Sequence, residues 1–209
     1  QMMKVKVESL YETNPIVPLQ KYKRLIEQNP SNIAARYGLS LALMKNSSFE
    51  DAVNEFEILR ARLPNTILML AAYAEVLTKA GQHQKAEKVV ERRLTISPDN
   101  QPLSMIYAKT LIATKRFKEA ERILIRLSKV RPNDVDIWYE LAETSGLAGN
   151  ISGVHIARAE YFVLHGAYTR SIQHLEYAKS LTRGNNPQLQ AKLAQQIQDL
   201  KTQVRLAKG

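Results

Sequence analysis

Apolar residues recur at offsets of three and four along most of this chain, and short polar or proline-containing clusters interrupt them at even intervals. Between Asp99 and Pro132, Ser104, Tyr107, Ala108 and Leu111 share one helical face, then Ala120, Ile123, Leu124 and Leu127 share a second. Lys118, Glu119, Glu121, Arg122 and Arg126 fall on the opposite side of that second stretch, which predicts a solvated face. Each stretch reads as a short amphipathic helix. A pair of such helices buries too little apolar surface to stand alone, so the pattern calls for a stack of pairs.

The same arrangement repeats. Pro30, Pro64, Pro98 and Pro132 lie 34 residues apart, each after an apolar second helix and before the next first helix. Proline's fixed φ and missing N–H end one helix there without spoiling the next. Ala52, Ala86 and Ala120 keep the same interval, each near the start of a second helix, where paired helices must approach closely. The internal turns fall near Asn46-Ser47-Ser48, Gly81-Gln82 and Lys115-Arg116. Ser48 with Asp51 is expected to form a variant of the capping box, and Gly81 suits a helix end that needs positive φ.

These residues resemble the tetratricopeptide repeat, whose pattern runs W-x2-L-G-x2-Y, then A-x3-F, then P. One copy reads Leu39-Ser40-x2-Leu43, Ala52-x3-Phe56, Pro64, and the next Tyr73-Ala74-x2-Leu77, Ala86-x3-Val90, Pro98. A third reads Tyr107-Ala108-x2-Leu111, Ala120-x3-Leu124, Pro132, and Trp138-x2-Leu141-Ala142 opens a fourth. The expectation is an all-α solenoid of helical hairpins, a right-handed superhelix in a single domain. It comprises a partial first repeat over 1–30, full repeats over 31–64, 65–98 and 99–132, and closing repeats over 133–183.

The two ends depart from the rhythm. Residues 1–13 are apolar only at scattered positions and read as the truncated beginning of the first repeat. Asn14-Pro15 then opens a helix to about Gln28 with Leu19, Tyr22, Leu25 and Ile26 inward. Near the other end Gly149 keeps the turn beat, but Gly166 follows only 17 residues later. One helix over 151–165 therefore serves both as the second helix of one repeat and the first of the next. A helix from Tyr168 to Leu181, a turn at Arg183-Gly184-Asn185-Asn186-Pro187 and a capping helix over 187–207 complete the chain.

Composition narrows the function classes. The 44% hydrophobic and 24% charged content is that of an ordinary globular protein. The longest apolar run, around Leu68 to Leu77, contains Glu75 and is too short to span a bilayer. With no cysteine there is neither a disulfide frame nor a thiolate zinc site. The net charge of +10 could suit acidic partners, anionic lipid or nucleic acid, but Lys85, Lys88, Arg92 and Arg93, like Lys118, Arg122, Arg126 and Lys129, sit mostly on the polar faces of second helices. Without interleaved aromatic residues this favours a solvated surface over a nucleic-acid interface.

No His-Glu-x-x-His motif and no phosphate-cradling glycine loop is present. His83, His155, His165 and His174 are the only histidines. His155 and His165 share a helix face but stand about 15 Å apart along it, too far to hold one metal. Ordinary packed or exposed roles are expected for all four. The candidate functional surface is instead a groove on the first helices, open to an apolar peptide segment or a partner helix. By periodicity its lining is Tyr37, Leu41 and Met44, then Leu68, Glu75 and Thr78. Met105, Lys109 and Ile112 follow, and then Tyr139 and Glu143. Each of these positions either lines the groove or is covered by the adjacent repeat.

The closing segment carries a narrower resemblance. Val154-His155-Ile156-Ala157-Arg158-Ala159-Glu160-Tyr161, Gly166-Ala167-Tyr168 and Ser171-Ile172-Gln173-His174-Leu175-Glu176-Tyr177-Ala178 are similar to the last repeats of the β-barrel assembly-enhancing, or YfgC-type, periplasmic zinc metalloproteases. That resemblance implies a bacterial envelope location, in the periplasm. It also implies a neighbouring peptidase domain that binds zinc, this chain itself holding no cofactor. The partners implied are that peptidase domain, outer-membrane assembly machinery or its β-barrel clients; the chain is expected to be a monomer and, without a catalytic motif, not itself an enzyme. A free-standing repeat scaffold with no peptidase attached is the other reading.

Overall fold

A computed structural model describes residues 1–63, 66–98, 100–184 and 186–206. Pro64, Asp99, Asn185 and Ala207, which the sequence reading placed at helix boundaries and in a turn, lie outside the described residues. Among these the chain forms helices without strands: α1 (Met2–Tyr11), α2 (Ile16–Gln28), α3 (Ile33–Lys45), α4 (Phe49–Arg62), α5 (Ile67–Lys79) and α6 (His83–Ile96). There follow α7 (Gln101–Ala113), α8 (Phe117–Val130), α9 (Val135–Leu147), α10 (Ile151–Leu164), α11 (Tyr168–Leu181) and α12 (Pro187–Leu206). Two compact units result, Gln1–Ala113 and Thr114–Gly209. All-α architecture is thus as expected.

The 34-residue rhythm is written into the backbone. Positive φ occurs at Ser47 (61°), Gly81 (75°), Lys115 (61°) and Gly149 (79°), each one repeat from the last, with Gly166 (68°) half a repeat further on. At these turns the chain leaves one helix through a left-handed residue and starts the next within two residues. First helices begin on the same beat. The side chains of Asn32, Thr66 and Asp134 accept from the backbone N–H groups of Ala35, Met69 and Asp136, and Asn100 does so from Leu103. A side-chain acceptor satisfies one of the N–H groups that a helix start leaves without an intrahelical partner, contributing about 1 kcal/mol each.

In the first unit α2 packs on α3, α3 on α4, α4 on α5, α5 on α6 and α6 on α7. Its core is built around Tyr37, Phe56, Leu59, Met69 and Leu77. Ala52 and Ala86 are wholly buried there, as their interval predicts for close helix contacts. Side-chain bonds recur with the repeat: the Tyr73 hydroxyl donates to Glu57 (3.1 Å), and one repeat later Tyr107 donates to Glu91 (2.5 Å). In the second unit α8, α9, α10, α11 and α12 pack in chain order. Leu193, Ile197 and Leu200 of α12 bury against α10 and α11 beside Leu175 and Ala178, each buried leucine contributing about 1.5–3 kcal/mol. Gln190 ties the end of α11 by donating to the Lys179 carbonyl (2.5 Å) and the Thr182 hydroxyl (2.7 Å).

Asn14 caps α2 as expected, its side chain accepting from the Ile16 N–H (3.0 Å) ahead of a Pro15 whose backbone is already helical (φ −70°, ψ −19°). Three local expectations need correction. Residues 2–11 form a complete helix, α1, which packs on α3. Ser48 makes no capping bond to α4; its hydroxyl accepts from Asn46 instead (3.2 Å). Glu121 is not a solvated charge either, since it accepts from Ser145 (2.8 Å) and Asn150 (2.7 Å), linking α8 to the α9–α10 turn.

Candidate functional site

The proposed groove residues divide into interior and surface. Tyr37 is 0% exposed and Leu41 4%, so these two belong to the core of the first unit and not to a groove surface. The Tyr37 ring meets Phe56 edge-on at 6.0 Å, and α1 and α2 both lie against its helix. Burial, and then the negative charge of Glu75, pushes the Tyr37 hydroxyl up to about 12. Met44 and Leu68 are half-buried against the same core.

Thr78 is also drawn inward, its hydroxyl 2.9 Å from that of Thr110 on α7. Glu75 pairs with Lys79 at 3.6 Å. Met105 and Ile112 are half-buried on α7, while Lys109 is exposed. In the second unit Tyr139 is 55% exposed. Its neighbour on the same face, Glu143, is exposed as well and lies 3.5 Å from Arg158.

Tyr139 and Glu143 are one edge of a larger face. On α10, residues 155, 158, 161, 162 and 165 recur at offsets of three and four, and on α11 residues 170, 174 and 177 do the same. The rings they carry form an unbroken chain across three helices. Tyr139 meets Tyr161 (6.2 Å between centroids), Tyr161 meets Phe162 (5.7 Å) and Phe162 stacks on His174 (5.4 Å). His174 then meets His155 (5.1 Å), and His155 meets Tyr177 (5.2 Å), which is 60% exposed. Such separations are those of attractive aromatic pairs. Arg170 leans over the Phe162 ring, 5.7 Å from its centre.

At the middle of this chain the Nδ1 atoms of His155 and His174 are 2.9 Å apart. The ring centres are 5.1 Å apart, about what two ring radii add to that contact, so the nitrogens point head-on. That geometry is a single N–H···N bond, with one imidazole donating and the other accepting. It is not a pair of lone pairs converging on a metal ion. No group of three metal-binding side chains occurs among the described residues. Sequence reasoning weighed His155 only against His165 on its own helix and missed this pair. His155 lies eleven residues before Gly166 and His174 eight after it, and comparable distances from a hairpin turn are the signal that could have found it.

Both histidines are held below the ordinary value near 6.5. Burial is the main cause for each; Arg158 adds to it for His155, and His155 and Arg158 for His174. Between the depressed folded values and about 6.5 the unfolded chain therefore binds more protons than the folded one, so stability rises with pH through that window. The expected result is a decline in stability as pH falls below about 6.5, with the pair making little further difference between there and neutral pH. Substituting both residues, His155→Asn/His174→Gln, should flatten that part of the profile in urea titrations. An unchanged slope in the double variant would show that the pair does not carry it.

A second concavity lies in the first unit, an apolar cavity of about 540 Å³ between α1 and α2 with α3 as its floor. Val7, Tyr11, Val17 and Tyr22 form its walls, and Gly38 and Leu41 lie on the floor. Glu8 and Lys21, 3.6 Å apart, pair between its two walls. Lys45 fixes the end of α1 by donating to the carbonyls of Ser9 (2.8 Å) and Glu12. Among the described residues no helix is long and apolar enough to cross a membrane.

Comparison with known proteins agrees with this architecture. Models of the tetratricopeptide repeat match residues 19–65, 37–101 and 77–144. The beta-barrel assembly-enhancing protease of Yersinia pestis is 25% identical over 150 residues, covering 71% of this chain and 30% of that protein. A putative beta-barrel assembly-enhancing protease of Vibrio cholerae serotype O1 is 33% identical over 79 residues, 38% of this chain and 16% of that one. The chain thus spans less than a third of the length of these relatives. A solved tetratricopeptide repeat protein from Parabacteroides merdae superposes with a TM-score of 0.58 at 15% identity, over 86% of this chain and 76% of its own. With family matches running from residue 19 to residue 144 on helices that turn every 34 residues, this chain belongs to the tetratricopeptide-repeat family.

Proposed function

We propose that this chain is the docking region of a bacterial envelope zinc metalloprotease that acts in outer-membrane protein assembly, and that it recruits clients or assembly machinery to a peptidase domain elsewhere in the same protein. The observation that carries the reading is the open face on α9, α10 and α11. Two half-exposed tyrosines, Tyr139 and Tyr177, end a chain of rings flanked by Arg158 and Arg170. Tyrosine and arginine at the centre of a surface are the residue types that dominate binding energy in protein interfaces. Similarity to the two beta-barrel assembly-enhancing proteases supports the enzymatic context, and the compartment proposed with it is the periplasm. The mechanism is non-covalent presentation: the face holds a polypeptide while the peptidase centre, with its own zinc, cuts.

The test is site-specific photo-crosslinking in the bacterial envelope, with the photoreactive residue at Tyr139 or at Tyr177. Adducts with outer-membrane assembly components or β-barrel precursors are expected from both sites, and a control at Lys192 on α12 should give none. Failure of both sites to crosslink would overturn the docking reading. Sequencing the coding region beyond Gln1 separates the protease from a free-standing scaffold, because only the former carries His-Glu-x-x-His.

A further inference from the structure

We infer that the ring-lined face of the second unit recognises an acidic polypeptide segment with aromatic or aliphatic anchors. This rests on the docking reading above and adds the chemistry of what docks. Three observations on the face point the same way.

The first is that its apolar part continues beyond the rings. Ile151 lies one turn before His155 and Leu181 one turn after Tyr177, on the same stripes of α10 and α11, and they are 52% and 50% exposed. Antiparallel packing of these two helices puts the pair at the Tyr177 end of the ring chain. A partner that covers the rings therefore meets apolar side chains there, and its own anchors gain by leaving water.

The second is the sign of the charges. Arg170 has no carboxylate partner among the described residues; it lies over the Phe162 ring. A guanidinium over a ring still presents its N–H edge, which suits a carboxylate. Arg158 has only the exposed Glu143, at 3.5 Å and with both side chains about half exposed (48% and 52%). An exposed pair of that kind contributes little and exchanges readily for a better-placed carboxylate. The face thus holds two cations, one unpaired and one weakly paired, and charge complementarity calls for acidic residues.

The third is the neutral histidine pair at its centre. Above pH 6.5 it adds no charge, and its head-on bond leaves one Nε2 acceptor and one Nε2–H donor outside the pair. These can bond a peptide backbone, which carries both kinds of group.

The experiment uses fluorescence anisotropy with the full chain and labelled synthetic peptides of twelve residues, in which Phe and Leu alternate with Asp and Glu. A matched peptide with Lys in place of the acids and a single-stranded oligothymidine are the competitors. Saturable binding of the acidic peptide is expected, weakened about tenfold by Arg170→Glu, a loss of about 1.4 kcal/mol. Glu143→Gln should tighten it severalfold by releasing Arg158, and Lys192→Glu should leave it unchanged. Arg170 and Glu143 are exposed, and an unaltered melting curve for each variant establishes that the fold is kept. Equal or better binding of the lysine peptide or the oligothymidine, or no effect of Arg170→Glu, would overturn the inference. Crosslinks persisting from Tyr139 and Tyr177 in that case would leave docking standing and remove only the acidic ligand; loss of both would remove both.

Discussion

Tyr37→Ala is expected to destabilise the first unit by about 3–5 kcal/mol, whereas Tyr37→Phe is expected to leave it unchanged or stabilise it by about 1 kcal/mol. The ring is fully enclosed and stands edge-on to Phe56, which in turn meets Tyr73 at 6.1 Å. Removing it takes one end off that aromatic row and leaves a cavity in the core that the packed neighbours cannot fill. The hydroxyl is another matter: it is buried with no hydrogen-bond partner among the described residues. An unpaired buried hydroxyl costs free energy because it has given up water for nothing, so deleting it removes a penalty and breaks no bond. Urea titration of the three proteins, followed by circular dichroism, measures both differences. A groove-lining Tyr37 would instead give a Tyr37→Ala change within about 0.5 kcal/mol, as surface substitutions do, and that result would return the residue to the surface. As the structure stands, Tyr37→Ala reports on folding and not on recognition.

The contrast between Tyr37 and Tyr139 shows what could be read from the chain. Both occupy the same register of a first helix, three repeats apart, and helical period alone assigns them the same angle. One is 0% and the other 55% exposed. Period fixes where a side chain points; burial depends on what packs over it, and α1 was the helix that sequence reasoning did not recognise. Its ten residues fall 34 before residues 36–45 of α3, but they carry no proline and no side-chain cap and their apolar positions are scattered, so the repeat beat alone marked them only as a truncated beginning. Where the beat exists it was legible in several independent ways. Prolines, buried alanines and left-handed turns all fall on it, as do the caps at Asn32, Thr66, Asn100 and Asp134.

The face in the second unit was only half legible. Tyr139 and Glu143 follow from period, because they repeat positions already identified in earlier first helices. Arg158, Tyr161 and Phe162 lie on the helix shared between two half-repeats, where the 34-residue register no longer tells inner from outer. The histidine bond is further out of reach, since it depends on how far α11 slides along α10 after Gly166. Side chains on different helices become neighbours through that slide, and no local rule states its size. Glu121 illustrates the same limit in reverse, a charge on a polar stripe that the next hairpin recruits as an acceptor.

Gly38→Ala should destabilise the protein by about 1–2 kcal/mol, yet stabilise a Tyr22→Ala background by up to about 1 kcal/mol. A methyl group at Gly38 would sit 2.4 Å from Cζ of Tyr22, 2.5 Å from Cε1 and 2.6 Å from Cε2. Three ring atoms at that distance mean the ring lies flat on the α3 backbone, and it must lift away as a body to make room. Tyr22 is 6% exposed and is the buried residue of α2, so lifting it loosens the contact between α2 and α3. Against this stands helix propensity, since alanine is favoured over glycine in a helix interior by about 1 kcal/mol. In the native protein the lost ring packing outweighs that gain; with the ring already removed, only the gain is left. The two substitutions are therefore strongly coupled, and a double-mutant cycle read by urea denaturation gives the coupling directly. The same substitution changes the floor of the 540 Å³ cavity, which Gly38 and Tyr22 both line. Gly38→Ala effects of the same sign and size in both backgrounds would mean that the ring does not rest on Gly38, and that α2 is held to α3 by other contacts.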